Sequence, residues 1–96
     1  MKLNAYSIYD RKAQIYHPPY FAHIEDDHAP AIKILTDVVS DANTSIGRHP
    51  DDFVLFHVGS YDDSRGYFET LSPIAHVADA RSCYSPPGDA TLEKVA

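Results

Sequence analysis

The sequence predicts a small α+β domain: an antiparallel sheet that carries one amphipathic helix on a face. Three observations support this. Aromatic and β-branched runs lie near both ends of the first 75 residues, a helical apolar pattern lies between them, and polar turns separate the runs. The predicted element order is β-β-α-β-β.

The chain opens with a predicted hairpin. Residues 2–9 are rich in Tyr and Ile, residues 10–12 form a polar turn, and residues 13–16 resume an apolar run. Pro18 and Pro19 lack the N–H groups that a ladder requires, and we expect them to end the pairing. The aromatic pair that follows, Tyr20 and Phe21, is predicted to pack into the core.

A helix is predicted over residues 27–43. Ile32, Leu35 and Val39 recur at i, i+3 and i+7, and this face is expected to pack on the sheet. A second apolar row lies beside it and consists of Ile34, Val38 and Ala42.

Residues suited to helix ends flank this pattern. Asp26 or Asp27 is expected to cap the helix, and Pro30 is tolerated in a first turn. Asn43 and Gly47 are expected to end it.

A second hairpin is predicted after the helix. Residues 53–61 are apolar on both alternating sets, which indicates a central strand with both faces well covered. Residues 62–66 form a turn that closes at Gly66, and residues 67–71 are the returning strand.

The pattern weakens after Pro73. Residues 74–81 are interpreted as either a short helix or an irregular tail. We therefore predict one α+β domain over residues 1–75 and a weakly structured C-terminal extension over residues 76–96.

Composition limits the classes of function. The 96 residues are 44% hydrophobic, which is typical of a globular chain. No apolar run is long enough to cross a membrane, and Lys2 leads directly into a strand pattern rather than a signal peptide. We expect no contact with a membrane. The single cysteine, Cys83, is interpreted as an inert thiol rather than a catalytic or redox group.

The charge of the chain argues against a dedicated binder of duplex DNA, because such proteins are usually basic. The net charge is −6, yet residues 1–21 carry +2 and residues 22–52 carry −5. A local basic region therefore exists within an acidic chain.

Motifs for catalysis or metal binding do not assemble. The six histidines lack the close pairs of a zinc site, and no cofactor is expected. The adjacent Asp pairs are interpreted as caps and turn residues. No nucleophile elbow or phosphate-binding glycine run is present in the sequence, so we expect no enzyme.

Tyrosines on the predicted strands suggest a different chemistry. Aromatic side chains on a sheet can stack on unpaired bases, and cations at hairpin tips can meet phosphates. The alternative interpretation is ordinary sheet packing, because Tyr is common in strands. The candidate nucleic-acid-binding residues are Tyr6, Tyr9, Arg11, Lys12, Tyr16, Arg65 and Tyr67.

Three stretches of the sequence carry a resemblance to a known family. They are residues 6–13, Pro19-Tyr20-Phe21 with the helix that follows, and residues 49–53 leading to Leu55, Gly59, Tyr61, Asp62 and Gly66. Taken in this order, they resemble the small non-structural protein of gokushovirus-type microviruses, which are single-stranded-DNA phages. The similarity spans roughly residues 3 to 75. That family usually has an arginine where Lys33 stands.

The resemblance implies a non-structural phage protein made in the host bacterial cytoplasm. It also implies a role in single-stranded genome synthesis or packaging, with binding of single-stranded DNA as one mechanism. An adaptor that binds phage or host replication and assembly proteins without touching DNA is the alternative, and it agrees better with the acidic charge. A homo-oligomer would join basic patches from several copies.

Overall fold

The computed structural model describes residues 1–24 and 28–84 and confirms an α+β fold. Five strands form one antiparallel sheet, in the order β2-β1-β4-β5 with β3 also paired to β1. The strands are β1 (Lys2–Asp10), β2 (Ile15–Tyr16), β3 (Tyr20–His23), β4 (Phe53–Asp62) and β5 (Tyr67–Asp79). The helices are α1 (Ala29–Val39), α2 (Ser45–Arg48) and α3 (Ala80–Cys83). The predicted β-β-α-β-β order therefore missed β3 and the two short helices.

Both edges of β1 are used, since β4 pairs along its whole length on one side. On the other side, β2 pairs with its end and β3 with its beginning. Pro18 and Pro19 separate β2 from β3 because neither has an N–H to donate. The expectation that these prolines end the pairing was wrong. They only interrupt it, because pairing with β1 resumes at Tyr20.

The predicted turn between the first two strands is confirmed, and Asp10 organises it. Its carboxylate accepts hydrogen bonds from the backbone N–H groups of Lys12 (2.9 Å) and Ala13 (3.1 Å). The peptide N–H of Gln14 donates to the Asp10 carbonyl over 2.8 Å, and Gln14 adopts a positive φ of 58°.

The second hairpin is confirmed around a turn that ends at Gly66, whose φ of 64° suits glycine. The returning strand is longer than predicted, because β5 continues from Tyr67 to Asp79 and α3 follows at once. The expectation of a short helix or an irregular tail over residues 74–81 was thus wrong for the part up to Asp79. The boundary predicted at residue 75 falls inside β5, and residues 85–96 of the predicted extension lie outside the described residues.

Helix α1 begins and ends inside the predicted range. Its N-cap is His28, in a left-handed conformation without a side-chain cap, and Pro30 lies in the first turn as expected. The proposed caps at residues 26 and 27 lie outside the described residues. The helix ends at Val39 with Ser40 as its C-cap, rather than at Asn43. Thr44 then caps the next helix by accepting a hydrogen bond from the N–H of Gly47.

The core lies between the helices and one face of the sheet. Leu35 and Val39 of α1 are fully buried against Leu55 of β4, and Ile32 packs beside them, which confirms the predicted helix face. In the second predicted row, Ile34 is 40% exposed. Ala80 of α3 is also fully buried, so the segment after β5 closes one end of the core.

No helix within the described residues has the length and apolar character needed to cross a membrane.

The packing of α1 predicts a stability effect. Replacing Leu35 by alanine removes a fully buried side chain, and we expect the variant to lose about 2–5 kcal/mol of unfolding free energy. Replacing the exposed neighbour Ile34 by alanine is the matched control, and it should cost much less. Urea denaturation of both variants measures the difference, and equal losses would contradict the described orientation of the helix.

Candidate nucleic-acid interface

Within residues 1–24 and 28–84, the helices cover one face of the sheet and leave the other face open. Cross-strand partners point to the same face, so Ile8 and Leu55, which pair directly, both lie on the covered side. Tyr9 pairs with both Tyr16 and Val54, and these side chains lie on the opposite side, which we call the open face.

Three aromatic side chains form a first aromatic cluster on the open face: Tyr9, Tyr16 and Phe56. The ring centroids of Tyr9 and Tyr16 are 4.5 Å apart, and the Phe56 ring packs edge-on against both, at 6.4 and 5.9 Å. Tyr16 is 46% exposed. The cluster therefore presents ring surface to solvent, as a stacking platform requires.

A second aromatic cluster lies farther along the same face and consists of Phe21, Tyr61 and Phe68. The Phe21 ring is 5.4 Å from that of Tyr61 and 6.4 Å from that of Phe68. Phe21 and Phe68 are each more than 40% exposed. Three different strands thus contribute one ring each to this cluster.

An apolar groove separates the two clusters. Pro19, Val58 and Ile74 line it together with Ser7, His17 and the edge of Tyr16, and its volume is about 300 Å³. The Ser7 hydroxyl is satisfied, because it donates to the His17 carbonyl over 2.7 Å. Clusters and groove together make a continuous apolar strip, and an exposed strip of this kind on a small protein marks a binding surface.

The structure does not bring all of the predicted site residues together. Tyr9 and Tyr16 belong to the first aromatic cluster, and Arg11 and Lys12 lie in the turn between them at the same end of the sheet. These four residues are the part of the predicted site that the fold assembles.

Tyr6 cannot stack on a base, and its inclusion in the site was wrong. Its side chain is 0% exposed and lies on the covered face. The phenol accepts a hydrogen bond from the amide of Asn4 (3.0 Å) and lies 2.8 Å from Nδ1 of His28. Its ring also contacts those of Tyr20 and His57.

Arg65 and Tyr67 lie at the other end of the sheet, so the fold of one chain does not bring the two predicted hairpin tips together. Tyr67 pairs with Asp62, the last residue of β4, whereas Asp10 beside Arg11 pairs with Phe53, the first. Ten residues of strand separate these ends by about 30 Å. Tyr67 also points away from the open face, because its neighbour Phe68 points toward it.

The predicted candidate set leaves out four aromatic residues of the open face: Phe21, Phe56, Tyr61 and Phe68. Strand alternation held a usable signal for two of them. Phe56 and Tyr61 lie on the strand predicted to be central, but its two apolar sets were both assigned to buried surfaces. Phe21 was assigned to the core with Tyr20, although neighbouring strand residues point to opposite faces.

Charged groups cluster beside the first aromatic cluster. Arg11 donates to the Asp51 carbonyl over 2.7 Å, and its other terminal nitrogen lies 3.4 Å from the Asp79 carboxylate. Arg81 makes two hydrogen bonds to the Asp51 carboxylate, at 2.7 and 2.9 Å. This bidentate contact lowers the pKa of Asp51. Arg11 is thus partly engaged, whereas Lys12 is exposed.

The described residues contain no group of three or more His, Cys, Asp and Glu side chains arranged to hold a metal ion. The open face offers ring surface, a groove and peripheral cations, which is chemistry for binding.

Comparison with known proteins supplies the family. The family model described as Phage ORF5 protein matches residues 3–83. The chain belongs to the Phage ORF5 protein family. It is also 36% identical over 70 residues to Protein ORF5 of Chlamydia phage 1, a match that covers 71% of this chain and 72% of that protein. No solved structure matches.

These findings confirm the resemblance to the small non-structural protein of gokushovirus-type microviruses. Membership of the Phage ORF5 family places the chain among accessory proteins of bacteriophages. Both aromatic clusters lie within the residues that the Phage ORF5 model matches.

Two histidines, His28 and His57, pack against the buried ring of Tyr6. They predict that the stability of this Phage ORF5 protein depends on pH. Burial lowers the pKa of His57, the hydrogen bond to the Gly59 carbonyl raises it, and neighbouring His28 lowers it further. Between the lowered pKa and the ordinary value near 6.5, the unfolded chain binds more protons than the folded one. Stability should therefore fall as the pH drops from about 7.5 to about 5.5.

Thermal melts across this range check the prediction. His57→Gln keeps an N–H donor near the Gly59 carbonyl but cannot titrate, so its melting temperature should depend less on pH. A variant as pH-dependent as the wild-type protein would contradict the assignment to His57.

Proposed function

We propose that the protein is a non-enzymatic phage accessory protein that binds single-stranded DNA weakly on the open face of its sheet. It would act during single-stranded genome synthesis or packaging in the host bacterial cytoplasm. The observation that carries the proposal is the pair of exposed aromatic clusters on one uncovered sheet face. Membership of the Phage ORF5 family supports the phage context.

The geometry suits unpaired bases better than duplex DNA. Base stacking on aromatic side chains requires exposed base faces, which only a single strand offers. In the part of the chain that the structure describes, the open face has no dense basic groove to follow two phosphate backbones, and the net charge of −6 weakens any binding by phosphates alone. Stacking would therefore supply most of the affinity, with Arg11 and Lys12 adding phosphate contacts at one end.

The apolar groove favours a second candidate function. An adaptor could dock an apolar segment of a phage or host replication or assembly protein between the two clusters, where Val58 and Ile74 line the wall. An acidic surface is no obstacle to such a partner. The two candidates use the same face and differ in whether an oligonucleotide alone binds.

Fluorescence anisotropy with a labelled oligothymidylate at low salt tests the proposal. We expect weak, single-strand-selective binding by the wild-type protein. Tyr16→Ala and Phe21→Ala each remove an exposed ring and should lose about 1–3 kcal/mol of binding free energy if each ring stacks one base.

Ile34→Ala is the matched control, because Ile34 is similarly exposed but lies on α1, outside the open face. Binding that falls equally in the control would show that the open face is not the interface. No binding by the wild-type protein at high micromolar concentration would reject the DNA function. The adaptor would then be tested with the phage's own replication and assembly proteins and the same three variants.

A further inference from the structure

Two donors on the open face converge on a single carboxylate oxygen. Nη2 of Arg11 lies 3.4 Å, and Nε2 of His76 lies 3.1 Å, from Oδ1 of Asp79. Arg11 comes from the first hairpin, whereas His76 and Asp79 come from β5, so the fold brings them together across β4. Guanidinium and imidazole N–H groups around one anionic oxygen are the chemistry of a phosphate contact.

The convergence point adjoins the first aromatic cluster. Asp79 pairs with Val54, which pairs with Tyr9, so these side chains form one row on the open face. The His76 ring packs edge-on against that of Phe56, with centroids 6.0 Å apart. An oxygen at this point is therefore next to the rings on which a base would stack.

The carboxylate of Asp79 has no capping role in the fold. Asp79 stands at the N-cap of α3, where Asp often caps a helix, but its side chain makes no capping hydrogen bond. The residue is about half exposed. Its carboxylate instead contacts only Arg11 and His76 among the described residues.

Arg11 is held in place independently of Asp79. Its second terminal nitrogen donates to the carbonyl of Asp51, and Arg81 fixes the side chain of Asp51 through two hydrogen bonds. Removing the Asp79 carboxylate would therefore leave the guanidinium positioned beside the aromatic cluster, with a donor free.

We propose that Arg11 and His76 form a phosphate subsite for the single strand, and that the Asp79 carboxylate occupies this subsite in the free protein. The subsite rests on the proposed DNA-binding function and deepens it. A backbone phosphate whose base stacks on the first aromatic cluster takes the place of Oδ1, and the Asp79 side chain turns away. Asp79 thus competes with DNA from within the molecule and keeps the affinity low.

Anisotropy titrations of Asp79→Asn against Asp37→Asn test the subsite. Both substitutions remove one negative charge, but Asp37 is exposed on α1, away from the open face. We expect Asp79→Asn to bind an oligothymidylate about three- to fivefold tighter than the wild-type protein. Its salt dependence should stay close to the wild-type slope, because the same phosphate is contacted in both complexes. Asp37→Asn should change neither quantity appreciably.

A double variant separates the subsite from the general charge effect. Adding Arg11→Gln to Asp79→Asn should abolish the tighter binding and make the slope shallower by about 0.7, because the guanidinium that contacts the phosphate is gone. Equal tightening by Asp79→Asn and Asp37→Asn, or tightening that survives Arg11→Gln, would overturn the subsite. If Tyr16→Ala still weakens binding in that case, the DNA function stands without it. If no variant binds DNA at all, both proposals fall.

Discussion

Within the described residues, helices cover only one of the two faces of the sheet. Leu35 and Val39 of α1 lie over Ile8 and Leu55, and Ile46 of α2 and Ala80 of α3 belong to the same core. The described residues therefore form two layers, one of helices and one of sheet. The core, the position of α1 and the exposure of the other face all follow from this one-sided coverage.

The open face reconciles the acidic charge of the chain with the proposed binding of single-stranded DNA. Stacking depends on ring surface and releases no counterions, so an acidic protein can use it where a phosphate-based binder would fail. Asp51 positions both arginines near the first aromatic cluster, Arg81 through its carboxylate and Arg11 through its backbone carbonyl. The net charge of the chain therefore says less about its ligand than the local arrangement of these few groups.

The sequence predicted the secondary-structure elements better than it predicted the face of the sheet on which each side chain lies. Regular apolar spacing located α1, and alternating runs located β1 and β4, since these patterns report local periodicity. Tyr6 and Tyr9 were grouped because both lie on one strand, yet residues three apart in a strand point to opposite sides. Only the position of the helix decides which side is buried, and that is a tertiary fact.

The candidate site was predictable at one end only. Tyr9, Tyr16, Arg11 and Lys12 belong to one hairpin, so local sequence places them together. Phe21, Tyr61 and Phe68 come from three strands, and their meeting depends on the pairing of β1 with both β3 and β4. Arg11 and Asp79 are 68 positions apart in the chain, and no local sequence pattern predicts their contact.

The prolines at the two borders of the sheet also bear on how the protein behaves at high concentration. An exposed border strand invites a strand from another molecule, and a run of free N–H and C=O groups is the template for fibre growth. Here Pro18 and Pro19 divide one edge of the sheet into two short strands, β2 of two residues and β3 of four. Pro73 lies within β5, the strand at the other edge. Because proline has no N–H, an incoming strand meets a gap in its ladder at either border. The protein can thus keep an apolar, ring-rich surface open to ligands while its sheet resists extension into fibrils.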